Sequence, residues 1–477
     1  MAIIDFKATK CRHCYKCVRN CEVKAIMVKD GRAEIMPDNC VLCGRCLQIC
    51  PQSAKTLVSD LSMVKDMIEA GEKVVVSLAP SYMGLLKFHT IGQVRCALMR
   101  LGFADVRETS EGAALVTAEY AKLLSDGTME NIISTCCPSV NALIEKYYPQ
   151  LIPYLAPVVS PMIAHGRWIK DRMGQHTKVV FIGPCVAKKM EAEADARTRG
   201  CVDAVIEFNE LQRWLEEEGI ELKHCQSRPF ANQDPMVNQL YPITNGIIRA
   251  VDVCGAPGTY KKLTVSSIKS CREFLHSMKR GYISHCFVEL NLCAGGCVNG
   301  PGVDKRRGFR FKATMRIENN ALLAAPPAYI TLPKDELERT YIPRQVVDKM
   351  PTEAEIQAIF NSFGKSEVVS ESMIDTVIGV SGSSPAYVYM FIEAMADAAV
   401  ADGMPRAQAY KFAAQAVLGS AKMVLETGKH PGELKDAVCS PGGTTIEAVA
   451  TLEKAGLRNA VIEAQRACVQ KSRDMNS

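Results

Sequence analysis

Residues 11–21 read CRHCYKCVRNC and residues 40–51 read CVLCGRCLQICP. Both runs keep one spacing, Cys11-x2-Cys14-x2-Cys17-x3-Cys21 and Cys40-x2-Cys43-x2-Cys46-x3-Cys50, and Pro51 closes the second. Thiolates two residues apart can wrap three corners of an iron–sulfur cube from one tight turn. A pair of zinc ribbons, or unconnected buried thiols, gives no reason for a duplicated ligand spacing that ends in Cys-Pro. Eight of the 21 cysteines fall in these runs, and the opening MAIIDFKATKCRHC lacks a signal-peptide core. Metal or redox chemistry is therefore expected rather than disulfides, in a cytoplasmic protein.

The rest of the composition narrows the class. A chain of 477 residues, 48% hydrophobic and 23% charged, predicts two to four globular domains. No apolar run reaches the roughly 18 residues of a membrane-spanning helix. A net charge of +5, with 14 Phe and 14 Tyr in no stacking arrangement, argues against nucleic-acid binding. Residues 1–32 carry eight Lys/Arg against three Asp/Glu. That excess either compensates thiolate-bound clusters or docks an acidic redox partner.

Residues 1–60 resemble a two-cluster bacterial ferredoxin. In that pattern the fourth cysteine of each run ligates the other cube. The resemblance implies one [4Fe–4S] cluster on Cys11, Cys14, Cys17 and Cys50, a second on Cys40, Cys43, Cys46 and Cys21, and electron transfer to something downstream.

From about residue 71 the pattern changes. EKVVVSLAP, NIISTCCP and TKVVFIGPC are short β-branched runs ending in Pro or Cys, separated by amphipathic stretches such as VNALIEKYYPQLI and FNELQRWLEEE. They predict buried strands alternating with helices, an α/β region whose chemistry sits on loops at strand ends. Three such loops carry cysteines: Ser134-Thr135-Cys136-Cys137-Pro138, Gly183-Pro184-Cys185-Val186-Ala187-Lys188-Lys189-Met190-Glu191, and Glu289-Leu290-Asn291-Leu292-Cys293-Ala294-Gly295-Gly296-Cys297-Val298-Asn299-Gly300. Taken together they resemble the signature loops of the FeFe hydrogenases, TSCCPGW, MPCxxKxxE and ExMxCxxGCxxG, over about residues 70–310.

The resemblance implies an H-cluster, a [4Fe–4S] cubane joined to a diiron subsite that carries CO, CN and a dithiolate amine. Cys137, Cys185, Cys293 and Cys297 would hold the cubane, with Cys297 also bridging to the diiron unit. Lys188 would donate to a cyanide, an anionic acceptor that is costly to bury without donors. Ala79, Pro80, Ser81 and Pro184 would line the diiron group, and Gly295 and Gly296 would let backbone approach the cluster. Cys136 matches the proton-relay thiol. Glu289 matches the motif glutamate, as a catalytic group or as an acceptor holding its loop. H2, protons, a ferredoxin-type or signalling redox partner and dedicated maturation enzymes are the partners the resemblance implies.

Departures from the family pattern are equally informative. Gly183 and Asn291 stand where methionines are usual, and Val140 stands for the usual tryptophan. An ungapped alignment puts Tyr120, Leu123 and Ala156 at the positions of the relay glutamates and serine, with Glu119 as a neighbouring substitute. Positioned acid–base groups typically contribute about 10²–10⁴-fold. Slow turnover is expected, as in a divergent, sensory branch. The competing reading is an iron–sulfur scaffold without the diiron subsite, against which Cys136 and Lys188 argue.

Residues 324–352 are proline-punctuated and read as a linker. Beyond them AYVYMFIEAMADAAVADG and RAQAYKFAAQAVLGSAKMVLETG predict helices apolar over wide faces, which a subunit interface can cover. Gly382-Ser383-Ser384-Pro385-Ala386-Tyr387 and Ser440-Pro441-Gly442-Gly443-Thr444-Thr445 resemble segments of pyrroline-5-carboxylate reductase, whose helical domain dimerises. No GxGxxG follows a strand and opens a helix, so hydride transfer is not expected. The expected architecture is α/β multidomain: a ferredoxin-like two-cluster module over 1–60, an α/β H-cluster domain over 61–323, a linker over 324–352 and an all-α dimerisation-type domain over 353–477.

Overall fold

The computed structural model describes residues 3–29, 31–230, 236–256, 258–303, 309–347 and 353–476. Of the basic stretch Lys305-Arg306-Arg307-Gly308-Phe309-Arg310, whose charge suggests either a solvated loop or a docking surface, residues 305–308 lie outside them. The chain divides into two compact units, Met1–Lys365 and Ser366–Ser477.

The first unit opens with two small antiparallel pairs. Strand β1 (Ile4–Phe6) pairs with β4 (Lys55–Leu57), and β2 (Ile26–Lys29) pairs with β3 (Arg32–Ile35). The cysteine runs lie between these strands. Two parallel sheets come next. One is four-stranded, in the order β6 (Asp105–Glu108), β5 (Val74–Leu78), β8 (Lys178–Gly183), β9 (Ala204–Glu207). The other is three-stranded, in the order β10 (Lys261–Ser266), β11 (Cys286–Asn291), β7 (Ile132–Ile133). Every residue of β5 and β11 is buried. Helices cover parallel sheets on both faces, which is why these strands read as continuous apolar runs rather than alternating ones.

The strand ends aim the chemistry. The loops after β5, β6, β7, β8 and β11 all leave carboxyl ends of parallel strands, where ligands of open α/β sheets collect. Helix α1 (Ser110–Asp126) follows β6. Helices α2 (Pro138–Tyr147) and α3 (Pro161–Met173) each start with proline in the first turn, where its missing N–H takes nothing from the helix.

The two antiparallel pairs and the cysteine runs between them pack directly onto the three-stranded sheet and its helices. One hydrophobic cluster joins Ile3, Ile4, Val23 and Val41 to Val140, Leu143, Val186 and Leu290. Lys146 Nζ donates to the carbonyls of Pro37 and Cys40, and Tyr147 Oη donates to that of Asn39 at 2.7 Å. Gly44 has φ +70°, and a Cβ there would meet Pro301 at 2.5 Å, so the second cysteine loop seats directly on the third signature loop.

Two expected boundaries shift. The proline-punctuated segment is not a free linker: Ile330, Leu337 and Arg339 are buried, and Arg339 pairs with Glu191 and Asp195, both at 2.6 Å. The second unit starts at Ser366 rather than 353. Helix α4 (Glu353–Asn361) belongs to the first unit, where Ala358 and Ile359 cover the small apolar cluster of Tyr15, Ile26, Val28 and Ala33.

The second unit is helical throughout its secondary structure. Its long helices α5 (Ser384–Ala401) and α6 (Arg406–Thr427) match the two predicted runs and pack through alanines, with Ala396, Ala409 and Ala413 buried. Large apolar side chains stay outside, among them Tyr389, Met390, Phe412, Leu418 and Leu425.

Candidate metal centre and hydrogenase-like site

A cavity of about 940 Å³, including its mouth, lies where the strand ends converge. Cys136, Cys137, Cys185, Cys293 and Cys297 all line it, with Lys188, Ala79, Pro80, Ser81 and Pro184. Of the residues expected at the central site, Glu289, Gly295 and Gly296 are the ones absent from this lining. The lining is otherwise mostly apolar, with Met162, Phe181 and Ile247 among it. Among the described residues no three His, Cys, Asp or Glu side chains are grouped so as to hold a single metal ion.

Burial pushes the Cys136 and Cys185 thiols up to about 12, and Lys188 works against the rise in both. Cys297 is driven up further by burial and by Cys185 and Cys137. Protons are hard to remove from such thiols unless a cation arrives with the ligand role, which is the behaviour of a metal-coupled thiolate set. The donor chemistry therefore fits an iron–sulfur group: four thiols in an apolar pocket, one buried ammonium beside them, and the buried Ser81 Oγ in the same wall without a protein partner.

Lys188 is held from behind. Its Nζ donates to Ser160 Oγ and to Glu191 Oε2, each at 2.7 Å, and more weakly to the Cys136 carbonyl at 3.3 Å. Burial acts to raise the Glu191 carboxyl, but Lys188 and Arg339 outweigh it and hold it below the usual range. A network continues outward: Glu191 to Arg339, Arg339 to Asp195, Asp195 to Arg197 and Arg344, and both arginines to Glu145. Sequence reasoning found Lys188 but not this support. Glu191, one helical turn past Lys188, was the available signal; Arg339 and Arg344 come from the expected linker and gave none.

Glu289 does not line the cavity. Its carboxylate accepts from the backbone N–H groups of Asn245, Ile247 and Ile248 at the start of the helix Gly246–Val253, and from Asn291 Nδ2 at 2.9 Å. Burial still pushes it up to about 7 against those four hydrogen bonds. Of its two expected roles, the geometry matches the acceptor that holds a loop.

The glycines also differ from expectation. Gly295 (φ +84°) and Gly296 (φ +91°) face protein: a Cβ would meet the Arg310 side chain at 2.6 Å and the Pro242 carbonyl at 2.5 Å. Gly296 lets the loop fold against the Pro242 backbone, and Gly295 leaves room for the Arg310 side chain. At Gly183 a Cβ would strike the Phe181 ring at 2.4 Å. Phe181 thus fills the space beside the position where methionine is usual.

Around Cys136, Tyr120 Oη lies 3.3 Å from Sγ and accepts from the Thr135 N–H at 2.8 Å. Glu119 instead pairs with Lys122. Val140 and Ala156 are fully buried, and their alkyl side chains have no exchangeable proton.

Cys17, Cys21, Cys40, Cys43 and Cys46 line one small apolar cavity in the N-terminal module. Cys14 and Cys50 both approach Gln52 Oε1, at 3.9 and 3.8 Å, which brings the last cysteine of the second run to the first. Cys43 lines both this cavity and the large one.

Three families match the chain in sequence order: "4Fe-4S dicluster domain" over residues 10–54, "Iron only hydrogenase large subunit, C-terminal domain" over 72–301, and "Pyrroline-5-carboxylate reductase dimerisation" over 371–475. The chain is a fusion of these three domain types. An [FeFe]-hydrogenase solved in a study of stepwise H-cluster assembly shares the fold of the hydrogenase-like part, with TM-score 0.51, 20% identity, and coverage of 60% of this chain and 99% of that one. A Chlamydomonas reinhardtii [FeFe]-hydrogenase variant is similar, with TM-score 0.50, 18% identity, and coverage of 60% and 99%. The tail is 71% identical over 123 residues to the pyrroline-5-carboxylate reductase of Escherichia coli, matching 26% of this chain and 46% of that enzyme. The chain thus spans less than half the length of the curated relatives it matches. The hydrogenase-like and dicluster domains support iron–sulfur clusters and an oxidoreductase role of FeFe-hydrogenase type. No described helix is long and apolar enough to cross a membrane.

Proposed function

We propose that this chain interconverts H2 with protons and electrons at an H-cluster and passes the electrons through two [4Fe–4S] clusters. The observation that carries this is the convergence of Cys137, Cys185, Cys293 and Cys297 on one cavity with Cys136 and Lys188 in its wall. Those four thiolates would hold the cubane, and the diiron group, when bound, supplies an open iron site for heterolytic cleavage of H2. Lys188 would present its ammonium to anionic ligands, fixed in place by Ser160 and Glu191. Cys136 would take up or give the proton at Sγ. The apolar lining would keep bulk water out, which strengthens each of these interactions.

Electrons would leave through Cys40, Cys43, Cys46 and Cys21 to Cys11, Cys14, Cys17 and Cys50. Cys43 shared between two cavities supports that order. Slow turnover and a role in sensing hydrogen or redox state are supported by the altered residues Gly183, Asn291 and Val140 and by the appended second unit. That unit would pair two chains through its uncovered apolar helices.

Infrared spectroscopy tests the reading on protein matured anaerobically with a diiron precursor, under argon and then under hydrogen. Bound CO and CN bands that shift with hydrogen are expected. Iron sufficient for three cubanes without such bands would make the protein a cluster scaffold instead.

A further inference from the structure

Beneath the cavity wall lies a second line of polar groups that the roles above leave unused. Thr109, in the loop after β6, lines the cavity. Its Oγ1 is 2.8 Å from Ser77 Oγ on β5, and Ser77 Oγ is 2.8 Å from His165 Nδ1 on α3. His165 Nε2 is 3.1 Å from Glu111 Oε2 on α1, and Arg107 grips Glu111 through Nε at 2.9 Å and Nη2 at 2.6 Å. Ser77, Glu111 and His165 have no exposed surface at all.

The direction of every hydrogen bond in this line is set at its far end. Burial acts to raise the Glu111 carboxyl, but His165 and Arg107 outweigh it and keep it below the usual range. A carboxylate there accepts a hydrogen bond from Nε2–H, so in the neutral imidazole Nδ1 offers a lone pair. Burial lowers the imidazole, with Glu111 pulling the other way, so the neutral form is the resting one. Ser77 must then donate to Nδ1, and its oxygen is left to accept from the Thr109 hydroxyl. The donors run in series from the cavity wall to a neutral buried base.

The line beside Cys136 behaves differently. Tyr120 Oη can donate to Thr135 Oγ1 at 3.2 Å, but the Thr135 hydroxyl donates to the Val158 carbonyl at 2.8 Å. A backbone carbonyl passes no proton onward, so that line ends there.

We infer that His165 is the proton acceptor for the cavity, reached through Thr109 and Ser77, in place of the carboxylate relay that this sequence lacks. The inference rests on the hydrogenase reading above. In the step, a proton leaving the cavity binds Thr109 Oγ1 as the Thr109 proton moves to Ser77 Oγ and the Ser77 proton moves to Nδ1. Only O–H and N–H bonds form and break, and both hydroxyls are regenerated. The imidazole becomes an imidazolium held against Glu111, while the electrons leave separately through the clusters. His165 acts through other groups, so it is a positioning and storage residue rather than one that touches H2.

The test is infrared difference spectroscopy, hydrogen minus argon, on full-length matured protein carrying ring-15N-histidine. An isotope-shifted imidazolium signal is expected, lost in His165→Gln. Thr109→Val keeps the side-chain volume and removes the hydroxyl. It should abolish that signal and lower H2 turnover at least about 10²-fold, with CO and CN bands and cluster absorbance intact. An undiminished histidine signal or unchanged turnover in Thr109→Val overturns the relay. So do hydrogen-responsive CO and CN bands in wild type without any histidine signal. Absence of CO and CN bands from wild type overturns the hydrogenase reading itself, and the relay with it.

Discussion

Tyr120 Oη sits 3.3 Å from Cys136 Sγ and takes the N–H of Thr135 at 2.8 Å, so one buried phenol fixes both residues ahead of Cys137. Its ring packs on Phe287 with centroids 5.6 Å apart. Burial and the neighbouring Cys136 raise its hydroxyl well above the usual tyrosine value, so it stays protonated. Tyr120→Phe keeps the ring and leaves the Thr135 N–H unpaired, at a cost of about 1–3 kcal/mol. Thermal melting should register that loss. H2 turnover in the matured protein should stay within a few-fold of wild type, because the line through Tyr120 ends at a carbonyl.

Cys136→Ala removes the thiol proposed to face the reacting group. H2 oxidation measured with an artificial acceptor should fall about 10²–10⁴-fold, while iron content and the infrared bands persist. Cys136→Ser, which restores a hydroxyl, should recover little, since an alcohol is a far weaker acid than a thiol. Full turnover in either variant would end the relay assignment.

Much of the site was legible because cysteine spacing is local information. The strand-end loops announced themselves through short apolar runs broken by Pro and Cys, and the crossed arrangement of Cys50 with Cys14 is what the resemblance to two-cluster ferredoxins implies. What the sequence could not show was which distant groups complete each loop. Arg339 lies 148 positions from Glu191, in a stretch whose prolines signal irregular backbone and say nothing about burial. Ser77, Glu111 and His165 come from three separate elements, and none sits in a spacing that marks it. Gly295 and Gly296 mark Cβ-free positions, but the sequence does not say that Arg310 and Pro242 lie beside them. Proline-rich composition misplaced the boundary at 353, since Ala358 and Ile359 look no different from the apolar residues of the second unit.

The Arg339 guanidinium is the bridge between Glu191 and Asp195 and is itself almost fully buried. Arg339→Leu would leave two buried carboxylates short of a partner, a loss of about 3–5 kcal/mol. With Glu191 unbalanced, Lys188 should be drawn away from the cavity. The expected result is a sharply lowered melting temperature and, where the protein can be matured in the cold, shifted CN frequencies. Arg339→Lys should rescue only part of this, because one ammonium cannot span both acids as the planar fork does.

Glu289 supplies a pH dependence of opposite sign to the ordinary acid case. Its folded value is raised to about 7, from an ordinary 4.5, mainly by burial. A raised group gives its full stabilisation below the unfolded value and loses it as pH rises through the folded one. Melting temperature should therefore decline between about pH 4.5 and pH 7 from this group. Asp195, held down to about 2 chiefly by Arg197 and Arg339 against its burial, contributes stability above about pH 4 that vanishes as pH falls toward 2. Glu289→Gln should flatten the upper slope while leaving the acid limb unchanged. An unaltered upper slope would mean that another buried acid, such as Glu207 at about 8, dominates it.

The second unit can be removed cleanly only after residue 365, since α4 covers apolar residues of the ferredoxin-like module. A chain ending there should keep all its iron and the infrared signature, because no cluster cysteine lies beyond Cys297. In the chain as a single copy, the second unit exposes residues such as Phe412 and Leu425 at 62% and 66% of their surface. Each side chain of that size gains about 1.5–3 kcal/mol on full burial, enough in combination to hold two copies together. Light scattering should find the full chain as a dimer and the 1–365 chain as a monomer. If the shorter chain still dimerises, the interface belongs to the hydrogenase-like unit, and the tail must be assigned another role.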